Sequence, residues 1–331
     1  MTKLYKYIST LLAALICISM LTSLTVSANA SAGIDDDLPD EYVIIEEVVN
    51  ETDYTEYTLD ENEKCAMRWV IKGIQRFHEK INLGEYKLTE DQVYKIVNCI
   101  WDDHSITSFN FRSYRQMFDE KTGLINYITI TYYSDITLDN YYSIRSQIRN
   151  DIKTITDSVN PDWSDIQKAL YIHDVLRNIC EYESSTINKY NKTAYSLFIK
   201  HKGNCIAYSG AYATIMNKLD IDCIIVSSND HTWNMINIDD NWYHADVTYD
   251  DDDGKFSYRY YKWFMISDEK ASNIESKYEE EDRHHTTWCL YSRNLAQPHA
   301  TDTSYDDVDW NEVYESLDVD WDAVNEMLGI D

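Results

Sequence analysis

Two hydrophobic periodicities follow one another along this chain, and their order limits what it can fold into. Apolar residues recur at helical spacing through most of the chain up to Leu219; from Ile221 to Phe264 the pattern becomes that of strands. Helices first and antiparallel strands after them predict an α+β fold with no parallel sheet, since a parallel sheet needs the two to alternate. A helix is expected from Asn62 to Ile81. The next is marked by a capping box, Thr89 with Gln92, and by Leu88 and Val93 as a hydrophobic staple. Its stripe of Val93, Ile96, Val97, Ile100 and Trp101 is that of a one-sided amphipathic helix. Ser108–Phe118 and Leu124–Tyr133 alternate as a hairpin about Asp119–Gly123, and helices follow over Leu138–Ser158 and Ser164–Cys180.

The 331 residues suffice for a real core, and 8 Gly with 3 Pro exclude collagen-like or linker-rich designs. The net charge of −29 argues against nucleic acid or anionic lipid as the main partner. That charge is unevenly placed. Residues 31–63 hold 13 acidic side chains and no Lys or Arg, residues 301–331 hold 11 and none, and 64–300 carry only −7.

Lys3 and Lys6, the apolar run Leu11–Val26 and Ser27-Ala28-Asn29-Ala30 form the basic, apolar and small-residue order of a secretory signal peptide cut after Ala30. The run is interrupted and shorter than the ~20 residues of a spanning helix, so no membrane span is expected in the mature chain. Secretion is the expected localisation. Six cysteines remain (Cys65, Cys99, Cys180, Cys205, Cys223, Cys289), mostly in apolar stretches with no C-x-x-C spacing, and mostly free thiols are expected.

The chemistry gathers around Gly203-Asn204-Cys205. An amphipathic run follows (Ile206, Tyr208, Ala211, Tyr212, Ile215, Met216, Leu219), with Asn204 as N-cap and Gly203 giving the turn its backbone freedom. Cys205 then opens a helix, where the dipole favours an anionic sulfur. Strands follow at Cys223–Val226, His231–Ile236 and Asn241–Val247. With a two-residue turn at Asp239-Asp240, Asp246 pairs opposite Trp233 and lies diagonal to His231 on one face, within reach of its imidazole. A three-residue turn would send Asp246 to the other face. In the first geometry His231 takes the Cys205 proton and returns one to a leaving group, while Asp246 fixes the imidazole.

These pieces resemble a known family. Ile172-His173-Asp174, Gly203-Asn204-Cys205 with Tyr208, His231-Thr232-Trp233-Asn234, Trp242–Thr248 and Trp263–Asp268 are similar in order and spacing to secreted bacterial members of the transglutaminase-like superfamily of papain-like thiol enzymes. The resemblance spans about Ser164–Asp268. It implies a Cys205–His231–Asp246 triad, a thioester intermediate, and a nucleophile helix packed on an antiparallel sheet. The expected organisation is a signal peptide (1–30), an acidic linker (31–60) with a short strand at Tyr42–Val49, a helix-rich α+β region (61–160), a catalytic domain (161–300) and an acidic tail (301–331). The expected activity is cysteine-dependent acyl transfer on amide bonds of protein or cell-wall peptide, with hydrolysis ahead of transfer to an amine. A catalytically silent binding module on the same fold is the alternative.

Other features read more plainly. His173 shares a stripe with Ile166, Ala169 and Leu170 and is expected in the core, and Trp233 as core or a wall of the site. Asp250–Gly254 fails the calcium-loop pattern, because Tyr249 and Tyr260 occupy its first and last ligand positions, and is expected as an acidic turn. His284-His285 is expected at the surface or in packing, and neither a cofactor nor a metal is expected. The tyrosines at 258, 260 and 261 read as a strand with one buried face. Asp307-Val308-Asp309-Trp310 returns as Asp318-Val319-Asp320-Trp321, either as a docking segment or, the preferred reading, as short helices of the acidic tail.

Overall fold

The computed structural model describes residues 59–103, 105–185, 189–228, 231–251, 261–279, 284–285 and 298–329. The expected signal peptide, the strand at 42–49, nearly all of the acidic linker, and Cys289, Tyr258 and Tyr260 lie outside them.

The first helix, α1 (Glu61–Gln75), starts at a capping box in which Asp60 Oδ1 accepts the Glu63 N–H and Glu63 Oε2 accepts that of Asp60. It stops six residues before the expected end. Phe77 takes φ +56°, and Ile81 enters a strand, β1 (Lys80–Asn82), packed so closely on the helix that a Cβ on Gly73 would lie 2.5 Å from it. Helix α2 (Glu90–Asp103) begins at the Thr89–Gln92 box as expected, with Leu88 and Val93 buried. A short helix, α3 (Ser105–Ser108), leads to the hairpin β2 (Phe111–Phe118) and β3 (Ile125–Tyr132). These form an antiparallel sheet in the order β1-β3-β2, whose buried residues join those of α1 and α2 in one apolar cluster.

Helices α4 (Leu138–Asp157) and α5 (Asp165–Ile179) come next, then β4 (Glu181–Tyr182), α6 (Ala194–Lys200), β5 (Lys202–Gly203) and α7 (Cys205–Lys218). Every residue of α7 from Ala207 to Met216 is buried, which makes it the axle of the larger apolar cluster. Strands β6 (Cys223–Ser228), β7 (His231–Ile238) and β8 (Asn241–Ala245) lie antiparallel, and after the single turn α8 (Val247–Asp250), β9 (Phe264–Ile266) completes the order β6-β7-β8-β9. The mixed helix-and-sheet architecture agrees with the α+β expectation. One detail differs: β4 and β5 pair in parallel over two residues, too few to leave a periodicity in the sequence. The third expected strand also ends at Ala245, because Asp246 turns to cap α8.

Helix α9 (Asp268–Glu275) follows β9, and α10 (Trp310–Ser316) and α11 (Trp321–Leu328) end the described chain. The repeated Asp-Val-Asp-Trp proves to be a helix-start signal. Asp309 accepts the Asn311 N–H at 3.1 Å and Asp320 that of Ala323 at 3.0 Å. Trp310 is buried edge-on against Phe264, so its ring does not serve an external docking surface. Asp306 accepts from the Ser267 N–H and hydroxyl at 2.8 and 2.7 Å, tying this segment to the start of α9. Among the described residues Cys65, Cys99, Cys180, Cys205 and Cys223 are free thiols, and no helix is long and apolar enough to cross a membrane.

The β7–β8 turn sets the register of β8 against β7. Asp239 and Asp240 both adopt left-handed φ (+51° and +65°), and Ile238 pairs with Asn241, so the loop has two residues. Two successive positive φ values favour Asn-Gly over Asp-Asp. Replacing the pair by Asn-Gly is expected to raise stability by about 0.5–1 kcal/mol in urea titration, and Asp240→Ala to lower it by about 1 kcal/mol. The opposite order of the two variants would contradict this turn geometry.

Candidate active site

The segment before α7 is built by close approach. A Cβ on Gly203 would lie 2.9 Å from Ala207 Cβ and 3.6 Å from Cys180 Sγ. The glycine is thus required by space and not, as expected, by backbone freedom, for it does not take a positive φ. Asn204 is extended (φ −99°, ψ −174°); its Oδ1 accepts the Ile206 N–H at 3.1 Å, and its own N–H donates to Asn191 O at 2.7 Å. Cys205 therefore stands at the first helical position, buried, beside the exposed Ile206.

The register of β7 with β8 brings the other two predicted residues together. Asn234 lies opposite Ala245, which leaves Asp246 just past the last pair, next to Trp233. His231 Nε2 then meets Asp246 Oδ2 at 2.6 Å with both residues buried. Cys205 stands near enough to the same imidazole to raise its pKa. Asp246 is held from several sides. Its Oδ1 accepts the N–H groups of Thr248 and Tyr249 (3.0 and 3.1 Å) as the N-cap of α8, and its own N–H donates to Trp263 O at 3.0 Å. Just before it, β8 and β9 slip register at His244/Ala245, where Met265 takes φ +55°; this bulge re-aims the strand end at the site.

Burial alone would favour neutral forms of both groups. The Asp246 charge and hydrogen bond, with Cys205 adding to them, overturn burial at His231 and push its pKa up to about 10. In return His231, joined by His285, holds the Asp246 carboxyl far below the usual carboxylate range. Rings enclose the imidazole: Tyr249 lies near-parallel at 4.2 Å and Trp233 at 5.7 Å. Trp233, buried as a wall of the site, donates its Nε1–H to His244 Nδ1 at 3.0 Å, while His244 Nε2–H reaches Asp268 at 2.9 Å. Burial keeps His244 neutral, which fits that tautomer.

Two plainer expectations gain detail. Of the expected acidic turn, Asp252–Gly254 lie outside the described residues, while Asp250 ends α8 fully buried, accepts the Trp263 N–H at 3.0 Å, and faces His173 at 3.3 Å. His173 itself is in the core, as expected, between Asp250 and Asp174. Of the two readings for the His284-His285 pair, surface or packing, His285 takes the buried one. Its Nε2 lies 2.9 Å from Asp246 Oδ2, the oxygen shared with His231. The His284-His285 pair is visible in the sequence, but only the fold brings it back over 39 residues to Asp246.

His231, Asp246 and His285 place ligand-type atoms within 4.8 Å of one another. The spacing does not suit a metal. Tetrahedral zinc with bonds of about 2.0 Å separates its ligand atoms by about 3.3 Å, whereas these donors meet the carboxylate at 2.6 and 2.9 Å, which are hydrogen-bond lengths.

A pH signature follows from the His231–Asp246 pair. His231 has a higher pKa folded than its unfolded value of about 6.5, so its charge stabilises the fold fully below about pH 6.5, and that contribution is lost as the pH rises through about 10. Urea titrations of wild type and His231→Gln should differ most below about pH 6.5, with the gap closing as the pH rises towards about 10. A gap independent of pH would mean that the pair is uncharged.

The chain matches no curated protein. A solved structure titled "Crystal structure of a TGase" aligns at 14% identity and a TM-score of 0.29, covering 51% of this chain and 47% of that one, so this chain spans about half of that protein's length. The family model described as Transglutaminase-like superfamily matches residues 153–247. That stretch, which runs from the end of α4 to the start of α8 and includes Cys205, His231 and Asp246, is the transglutaminase-like domain of this chain.

Proposed function

We propose that this chain is a cysteine-dependent acyl-transfer enzyme acting on amide bonds of protein or peptide, cell-wall peptide among them. The observation that carries the reading is the 2.6 Å bond between His231 Nε2 and a buried Asp246, made by an imidazole that also interacts with a cysteine at a helix N-terminus. Cys205 is the nucleophile. His231 takes the thiol proton, the thiolate attacks the carbonyl carbon, and the imidazolium passes its proton to the leaving amine as the C–N bond breaks. The resulting thioester is opened by water, whose proton returns to His231, and the acid and the free thiol are restored. Asp246 orients the imidazole and stabilises its charged form. The Cys205 N–H, in the first helical turn, is one donor for the developing oxyanion.

Hydrolysis is the preferred outcome, since water needs no binding surface to reach a thioester and an amine does. The basic, apolar and small-residue N-terminus supports an exported protein, which sets peptide outside the cytoplasm as the substrate pool.

Exposure alone would make Cys65 the fastest thiol, as it is exposed and has Arg68 beside it, while Cys205 is buried. Activation by His231 reverses that order. Iodoacetamide labelling of the folded protein near neutral pH, read by peptide mass, is expected to modify Cys205 first, with His231→Ala slowing it at least about a hundredfold. Labelling in order of exposure would sink the enzyme and leave a binding module. Incubation with a labelled amine and a glutamine-rich protein separates the two outcomes: incorporation dependent on Cys205 would mean transfer.

A further inference from the structure

Asp246 Oδ2 receives two imidazoles, and the proposed reaction accounts for only one. His285 reaches it with Nε2 at 2.9 Å, and its Nδ1 lies 3.1 Å from Glu275 Oε1. That oxygen also accepts the backbone N–H groups of His284 (2.8 Å) and His285 (2.7 Å), so the carboxylate ending α9 grips the histidine by both backbone and ring. The ring stacks on Trp263 at 4.0 Å and lies 4.4 Å from Trp233, and His285, Glu275 and Asp246 are all buried. Each ring nitrogen thus has a carboxylate oxygen within hydrogen-bond distance. The polar chain runs His231, Asp246, His285, Glu275, to the end of α9.

We propose that His285 is a positioning residue for this site, held by Glu275, whose hydrogen bond to Asp246 locks the carboxylate in the rotation that serves His231. A carboxylate with its second acceptor direction unfilled in a buried site is poorly satisfied and free to turn. With His285 in place, Oδ1 is fixed by the two α8 amides and Oδ2 by two rings, so neither oxygen can move without breaking bonds on both. The inference rests on the proposed cysteine chemistry.

Its test compares the Cys205 alkylation rate, and kcat and KM on any amide substrate the protein turns over, among wild type, His285→Phe, His285→Gln and Glu275→Gln. Phenylalanine keeps a ring against Trp263 and removes the donor; glutamine offers an N–H near the position of Nε2. His285→Phe is expected to slow Cys205 by about tenfold, within the range of coupled neighbours, lowering kcat at unchanged KM. His285→Gln should recover most of the rate and Glu275→Gln should lose a severalfold share. A folded His285→Phe protein reacting at the wild-type rate would overturn the assignment, as would His285→Gln no faster than His285→Phe, the mark of a packing role. If His285→Phe does not fold, Glu275→Gln, which keeps the imidazole, decides alone: severalfold slowing supports the proposal and the wild-type rate overturns it. Failure of the cysteine chemistry reads differently, as a wild-type Cys205 no faster than Cys65, and removes both readings together.

Discussion

The contact on which the site depends is the buried hydrogen bond between His231 and Asp246. Taking a carboxylate out of water costs several kcal/mol unless its oxygens are satisfied and a counter-charge is near. Here every lone-pair direction in use has a donor: two backbone amides of α8 on Oδ1, and the His231 and His285 rings on Oδ2. The surrounding structure exists in good part to supply them. The single turn α8 presents its N-terminus, the β8–β9 bulge turns Asp246 inward, and the end of α9 holds His285 through Glu275.

Low polarity around the pair strengthens it. Tyr249, Trp233 and Trp263 line the imidazoles with flat apolar faces, and within such a wall an ion pair is screened less than at the surface. The aromatic wall is itself anchored by polar contacts, Trp233 to His244 and His244 to Asp268, so ring orientation is set by hydrogen bonds as well as by packing. A second buried charged group lies behind α8, where Asp250 and Asp174 face His173 and Arg177 and Tyr261 donate to Asp174. It ties α5 to α8, the turn that Asp246 caps.

The elements most readable in advance were those whose signals are local. The Thr89–Gln92 box, the hairpin at Asp119–Gly123, the N-cap at Asn204 and the two-residue turn at Asp239-Asp240 each depend on residues within a few positions of one another. That turn gave enough to put Asp246 beside Trp233, since strand register propagates with a period of two. What failed was non-local. The helix at Asn62 runs on in pattern but breaks at Phe77, because Ile81 is needed by the sheet; the parallel β4–β5 pair is too short to have a pattern; and Gly203 answers to Ala207 and Cys180, not to its own dihedrals.

The sequence by itself determined the α+β class, the position of Cys205 at a helix start, and a register in which His231 and Asp246 can meet, because periodicity, capping and turn length are written in neighbouring residues. Only the tertiary structure decided that Asp250 is buried, that Trp310 closes on Phe264, and that His285 returns to share the oxygen Asp246 gives to His231. A pair of adjacent histidines has no spacing of its own to announce a partner 39 residues away. That contact comes into being when β9 and α9 pack, and it is fixed by where Glu275 ends its helix.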